Sequence, residues 1–219
     1  AVENARHHPI AAILTGREPV QYSHNVANTR ELDRDLYENT RQKEGIEKAL
    51  NAQLLACLQG PPGTGKTRVI IELARRLVLA DKRVLIAAET NAAVDNILIG
   101  KSDEFEADTD SLLYYHLKKE INVTRTNLDG EQVHPFAKKH FADCPLEAAE
   151  VVASTNSSSA KLDVDSFDYV IIDEATQASI PSSLIPIVRG KVTILVGDHK
   201  QLPPFSQLQN ETQESLFER

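Results

Sequence analysis

The chain has 219 residues, of which 41% are hydrophobic and 26% charged, the proportions of an ordinary globular domain with room for one core or one core plus a small elaboration. Its formal net charge of −8 excludes a broadly basic coat for nucleic acid but leaves room for a local groove. No apolar run reaches the roughly eighteen residues of a membrane span, and Ala1–Ile10 lacks the apolar centre of a signal peptide.

The chain does not begin with Met, so it is expected to be a fragment or a processed form. Residues 1–38 are polar and mixed, and read as a lead-in arm or the end of an upstream domain. Asn39-Thr40 offers a helix N-cap, and Arg41 to Asn51 reads as a helix. Leu54-Leu55-Ala56-Cys57-Leu58 is short and apolar enough for a buried strand. Cys57 is therefore expected to be a small core residue. The second cysteine, Cys144, is distant, no close Cys/His spacing suggests zinc, and a reducing intracellular compartment is expected.

Gly60-Pro61-Pro62-Gly63-Thr64-Gly65-Lys66-Thr67 then fills the pattern G-x-x-x-x-G-K-[ST]. Its glycines let backbone N–H groups converge on phosphate oxygens where a side chain would obstruct them. Lys66 can reach the β- and γ-phosphates, and the Thr67 hydroxyl can ligate Mg²⁺. The apolar stretch Val69–Leu79 reads as a helix whose positive end faces the same anion. Strand, loop and helix stand in the order that a phosphate-binding loop requires.

Arg83–Ala88 reads as a second buried strand, and Thr90-Asn91 as the cap of a helix starting near Ala92. Residues 101–149 read as an insertion: an acidic loop from Asp103 to Asp110, a helical part around Asp110–Ile121, then an irregular stretch through Gly130 and Pro135. Its slight excess of Lys and Arg between His116 and His140 reads as a solvated surface. The core resumes at Glu150–Ala153, followed by a serine-rich loop over Thr155–Ala160. Phe167–Asp173 and Lys191–Gly197 are two further apolar strands.

Continuous apolar strands alternating with helices imply an α/β fold with a mainly parallel sheet covered on both faces. Ligands of such sheets bind beyond the carboxyl ends of the strands. The phosphate loop, Thr90, Ser154, Asp173 and Gly197 all fall at such ends and should share one rim. Asp173 can hold Mg²⁺ opposite Thr67, and Glu174 is placed to orient or deprotonate the attacking water. In Gly197–Pro204, Gln201 could bond both the γ-phosphate and that water. Gln42 could read the adenine edge, or could be a surface glutamine. Thr90, Asn91, Asn96, Ser154 and Thr155 suit a sugar–phosphate backbone, and would look the same as plain helix caps.

Five segments together resemble superfamily 1 helicases of the 5′-to-3′ group that includes the nonsense-mediated decay helicase and its DNA-acting relatives: Asn39–Gln42, Gln59–Thr67, Ala88–Asp95, Ile172–Ala178 and Val196–Pro204. The resemblance implies a RecA-like P-loop NTPase domain over residues 39–219, with 101–149 as a mostly helical insertion. It implies ATP and Mg²⁺ as cofactors. Gln42, Gly60, Pro61, Pro62, Gly63, Thr64, Gly65, Lys66, Thr67, Arg68 and Asp173 would bind them; Lys66, Glu174 and Gln201 would serve catalysis. Thr67 and Asp173 would hold the metal. Thr90, Asn91, Ser154 and Thr155 would contact single-stranded DNA or RNA, and Gln177 would couple the two sites.

Two departures stand out. Glu89 occupies a position where many members carry proline, and a carboxylate there repels phosphate unless it points away. The chain also stops after Gly197–Pro204, before the family's second RecA-like domain, so that domain is an expected partner and the chain alone is expected to hydrolyse ATP slowly. A stand-alone ATP-binding interaction module is the competing reading. A small-molecule kinase would have no use for Gly197–Pro204.

Overall fold

A computed structural model describes residues 8–23, 33–198, 200 and 215–216. Gln201, and with it most of the Gly197–Pro204 segment, lies outside the described residues, as does most of the closing Glu214–Arg219 segment. Six strands form one sheet: β1 (Leu55–Gln59), β2 (Val84–Ala88), β3 (Val123–Arg125), β4 (Val151–Thr155), β5 (Phe167–Asp173) and β6 (Gly190–Gly197). Their order is β1-β6-β5-β2-β4-β3, and every pairing is parallel. The α/β reading therefore holds.

Side chains alternate across this sheet, and each face has its own core. Ala56, Ile86, Ala153, Ile171 and Ile194 point into the larger one. That face is covered by α3 (Thr40–Leu50), α4 (Lys66–Leu79), α5 (Asn91–Ile99), α6 (Leu112–Leu117) and α7 (Pro135–Phe141). Leu55, Leu85, Val152, Ile172 and Leu195 point to the other side, beneath α1 (Ile10–Leu14) and α8 (Ile180–Ile187). A short helix α2 (Arg34–Glu38) precedes α3 and buries Leu36 in the larger core. Because β2 and the inner part of β5 are covered on both sides, they read as unbroken apolar runs.

Three local differences from the sequence reading have simple causes. Cys57 is exposed, not a core residue. It sits on β1, the edge strand, where the sheet's second face is only partly covered, so alternation carries Cys57 outward while Ala56 is buried. Within 101–149, the stretch read as irregular contains β3, which pairs with β4 at the far edge. Three residues between polar Asn122 and Thr126 fall short of the apolar run that marks a strand. Leu113, Val133 and Phe141 from the same segment join the larger core. The lead-in region is also tied down: Ile10 is buried in the smaller core, and His8 Nε2 lies 3.0 Å from the Gly190 carbonyl.

The helix caps read from sequence are present. Asn39 Oδ1 accepts from the amides of Arg41 and Gln42, and Thr90 Oγ1 from that of Ala93. Gly65 precedes α4 with φ of 83°, a left-handed conformation that favours glycine.

Candidate functional site

The parallel sheet brings the C-terminal ends of β1, β2, β4, β5 and β6 to one rim. Gln59 of β1 lies beside Gly197 of β6, and Ala88 of β2 lies between Thr155 and Asp173. The phosphate loop leaves β1 at this rim. The Gly60 amide donates to the Gly197 carbonyl at 3.0 Å, which ties the start of the loop to β6. Thr64 Oγ1 closes the turn by donating to the Pro61 carbonyl at 2.6 Å, and Gly63 and Gly65 both have positive φ. A methyl group at Gly60 would lie 2.8 Å from Thr64 Oγ1 and 3.1 Å from Lys66 Cγ. A side chain there would push the Thr64 hydroxyl off its bond to Pro61 and crowd Lys66.

Lys66 opens α4 with its side chain mostly buried. Its Nζ donates to the Gly60 carbonyl at 3.1 Å and stands 3.7 Å from Glu174 Oε1. Thr67 follows in the first turn of the helix, half-buried. Asp173, at the end of β5, is 5% exposed. Burial, and secondarily the Glu174 carboxylate, pushes its pKa up to about 6, against the opposing pull of the Glu174 amide and of Lys66. A buried carboxylate with so little compensation is a fitting ligand for a divalent cation, and Thr67 and Asp173 are the residues that would hold Mg²⁺. Glu174 has a φ of 49°, and Gln177 Nε2 donates to its Oε2 at 3.3 Å. The acidic pair and the phosphate loop, more than a hundred residues apart in sequence, thus meet at one place.

Gln42 reaches the same site from α3. Its Nε2 donates to the Thr64 carbonyl at 2.7 Å. Gln42, Pro61, Thr64 and Lys66 line a cavity of about 470 Å³, together with Cys57 and Arg41. Arg68 differs from the other loop residues. Its guanidinium forms a two-pronged pair with Asp33 and also approaches Asp35 and Asp110. Those three carboxylates occupy the side chain, so what Arg68 has free for a nucleotide is its backbone.

The residues read as a track for a nucleic-acid strand lie beside this site. Thr90 is exposed, Asn91 is half-buried and Thr155 is 7% exposed. Ser154 is wholly buried: its hydroxyl accepts from Thr126 Oγ1 at 2.7 Å and donates to the Thr155 carbonyl. It lies beneath the rim and does not face it. Asn96 is exposed on α5. Glu89 does not hang free over the rim, because its Oε2 accepts from Ser182 Oγ at 2.6 Å and Asn156 Nδ2 at 3.0 Å. Asp95, Arg125 and Gln132 were given no individual role by the sequence, and Arg125, counted there in a solvated surface, is buried; the three join Asn91 in one hydrogen-bonded group. Their spacing along the chain carries no periodic signal that would have found them.

Residues 38–143 and 115–207 match the family model AAA_11, an AAA domain. The chain belongs to this family. The DNA replication ATP-dependent helicase/nuclease DNA2 of Saccharomyces cerevisiae is 37% identical over 188 residues, covering 79% of this chain and 11% of that protein. The Regulator of nonsense transcripts 1 homolog of Neurospora crassa is 32% identical, covering 83% of this chain and 20% of that protein. The uncharacterized ATP-dependent helicase MJ0104 of Methanocaldococcus jannaschii is 30% identical, covering 83% and 40%. These relatives set the family within the superfamily 1 helicases, alongside the regulators of nonsense transcripts. The chain spans 11% to 40% of the length of these three proteins.

The UvsW helicase from Bacteriophage T4 shares the fold, with a TM-score of 0.52 at 17% identity over 77% of this chain and 61% of that one. The architecture is that of a RecA-like helicase domain. Among the described residues, no helix is long and apolar enough to cross a membrane.

Proposed function

We propose that the chain is the ATP-binding motor domain of a helicase that couples hydrolysis to movement along single-stranded nucleic acid and to duplex unwinding. The observation that carries this reading is the approach of Lys66 to Glu174, with Asp173 at the same strand end. In a nucleotide complex Lys66 would leave the Gly60 carbonyl and neutralise the β- and γ-phosphates. Thr67 and Asp173 would hold Mg²⁺, which supplies charge neutralisation at the phosphates. Glu174, released from Lys66 and oriented by Gln177, would align water for in-line attack and accept its proton. Gln42 would read the base from the far side of the cavity, and Gln201 would sense the γ-phosphate.

In this reading the division is an arm or the end of an upstream domain over 1–38, of which His8, Ile10 and Leu36 pack on the domain, a motor domain over 39–219 and an insertion over 101–149 whose Leu113, Val133 and Phe141 share its core. A second RecA-like domain completes the site with arginines, each worth roughly 10³–10⁵ in rate. The 219-residue chain by itself would bind nucleotide and turn it over slowly. Thr90, Asn91 and Thr155 would touch the strand, DNA or RNA, with movement from 5′ to 3′ and a setting inside the cell.

The test is ATP turnover by the full-length protein with and without single-stranded oligonucleotides. Stimulation by strands, abolished in Glu174→Gln, supports the reading. Turnover that responds to a small acceptor molecule and not to strands overturns it.

A further inference from the structure

Arg125 ends the edge strand β3, and its side chain is 1% exposed. Its Nε donates to Asp95 Oδ1 at 2.9 Å, its Nη1 to the Thr126 carbonyl at 2.9 Å and its Nη2 to Asn91 Oδ1 at 2.7 Å. Asp95 Oδ2 accepts from the His134 amide at 2.9 Å, so the ion pair is enclosed on both sides. A guanidinium carries five donors and no acceptor. Facing it, the Asn91 amide must turn its oxygen inward and its Nδ2 outward, since the flipped amide would set donor against donor. That Nδ2 lies 3.4 Å from Gln132 Oε1. The same constraint passes on: Gln132 turns its oxygen to Asn91 and leaves its Nε2 donors directed outward, on a residue that is exposed.

We infer that Gln132 is a further contact to the sugar–phosphate backbone of the strand, and that Arg125 is a positioning residue that fixes the amide polarity of both Asn91 and Gln132. This rests on the reading of the Thr90–Thr155 rim as a nucleic-acid track. The group borders that rim directly, because Thr126, whose carbonyl Arg125 holds, donates to Ser154. Outward N–H groups select an acceptor, and on a single strand the phosphate oxygens are the acceptors common to every nucleotide. Glu131 stands next to Gln132 in sequence and is also exposed, so attraction here comes from directed donation and not from net positive charge. The contact adds nothing to counterion release, which scales with the phosphates neutralised by Lys and Arg.

The experiment is anisotropy of a labelled oligo(dT) and a labelled oligo(U) on the full-length protein across a range of salt. Gln132→Ala should weaken strand binding about fivefold to tenfold, the upper part of the range for one typical hydrogen bond, with the salt slope and melting temperature unchanged. Gln132→Glu keeps the oxygen facing Asn91 and loses the outward donor, so it should bind at least as weakly. Arg125→Lys should lose about as much as Gln132→Ala, and combining the two should add little. Arg125 is buried and its replacement can disturb folding, so the exposed Gln132 variants carry the test. Wild-type affinity in both Gln132 variants, with Thr90→Ala weakened, overturns this inference alone. Failure of the wild-type protein to bind either strand overturns the reading of the rim and this inference with it.

Discussion

Asp173 Oδ1 accepts the backbone amide of Glu174 at 2.9 Å, so two neighbouring carboxylates sit in different environments. Asp173 is buried at the strand end, while Glu174 turns through a left-handed conformation toward Lys66. The first suits a metal ligand and the second a group that handles a proton.

This difference sets a pH dependence. Asp173 releases its proton near 3.8 when unconstrained and at about 6 in the folded chain. The folded state thus holds the proton more tightly, so the contribution of Asp173 to stability is fully present below about 3.8 and is lost as pH rises through about 6. Asp173→Asn removes that loss while keeping an oxygen for the Glu174 amide. Without metal at pH 7, the variant should be more stable than wild type by up to about 3 kcal/mol, and the gap should close near pH 4. Urea unfolding in chelator at the two pH values measures this. Added Mg²⁺ and nucleotide should reverse the order at pH 7, since only wild type gains the ligand.

Gly197 marks the close approach of β6 to the loop after Glu174. A methyl group there would lie 3.1 Å from Thr176 Cγ2 and 3.3 Å from the Thr176 amide nitrogen. Thr176 must give by a few tenths of an ångström to admit it, and Gly197→Ala should cost about 1–3 kcal/mol. Gly63→Ala meets no neighbour within 4 Å but has a φ of +76°, so it should cost only the strain of a left-handed residue, about 1–2 kcal/mol. Both should reduce turnover, by different routes: Gly197→Ala presses on the segment carrying Asp173 and Glu174, whereas Gly63→Ala sets a methyl group in the loop whose bare backbone is read as the phosphate cradle. Denaturation curves and single-turnover assays on both variants check this.

Cys57 is exposed and lines the cavity beside Gln42 and Lys66. Partial desolvation raises its thiol pKa, so labelling by iodoacetamide should be slow at pH 7 and faster as pH rises. Saturating ATP should slow alkylation at Cys57 more than at Cys144, followed by mass spectrometry of the labelled peptides. Equal slowing at both cysteines would place the nucleotide elsewhere.

The same cysteine shows where sequence stops short. Leu54–Leu58 reads correctly as a strand, but only the sheet order makes β1 an edge and Cys57 exposed. The phosphate loop is legible because its glycines answer a local demand for bare backbone. Asp173-Glu174 is legible because an apolar strand must end somewhere polar. β3 is not, since three residues between polar neighbours give no period to count. Arg125 and Asn91 are 34 residues apart and meet only after β3 has paired with β4. Ser154 reads as a rim residue by position, and its burial follows from Thr126 on the neighbouring strand's extension. Local geometry is written along the chain; partners across the sheet are not.

The most direct measurement is the affinity of Mg²⁺·ATP for Lys66→Ala, by titration calorimetry beside wild type. The ammonium lies at the junction of the phosphate loop and the acidic pair, and its loss should weaken binding at least about tenfold, the value of one charge-assisted bond, with the melting temperature of the free chain little changed. Wild-type affinity in Lys66→Ala would mean that the triphosphate does not sit at this rim.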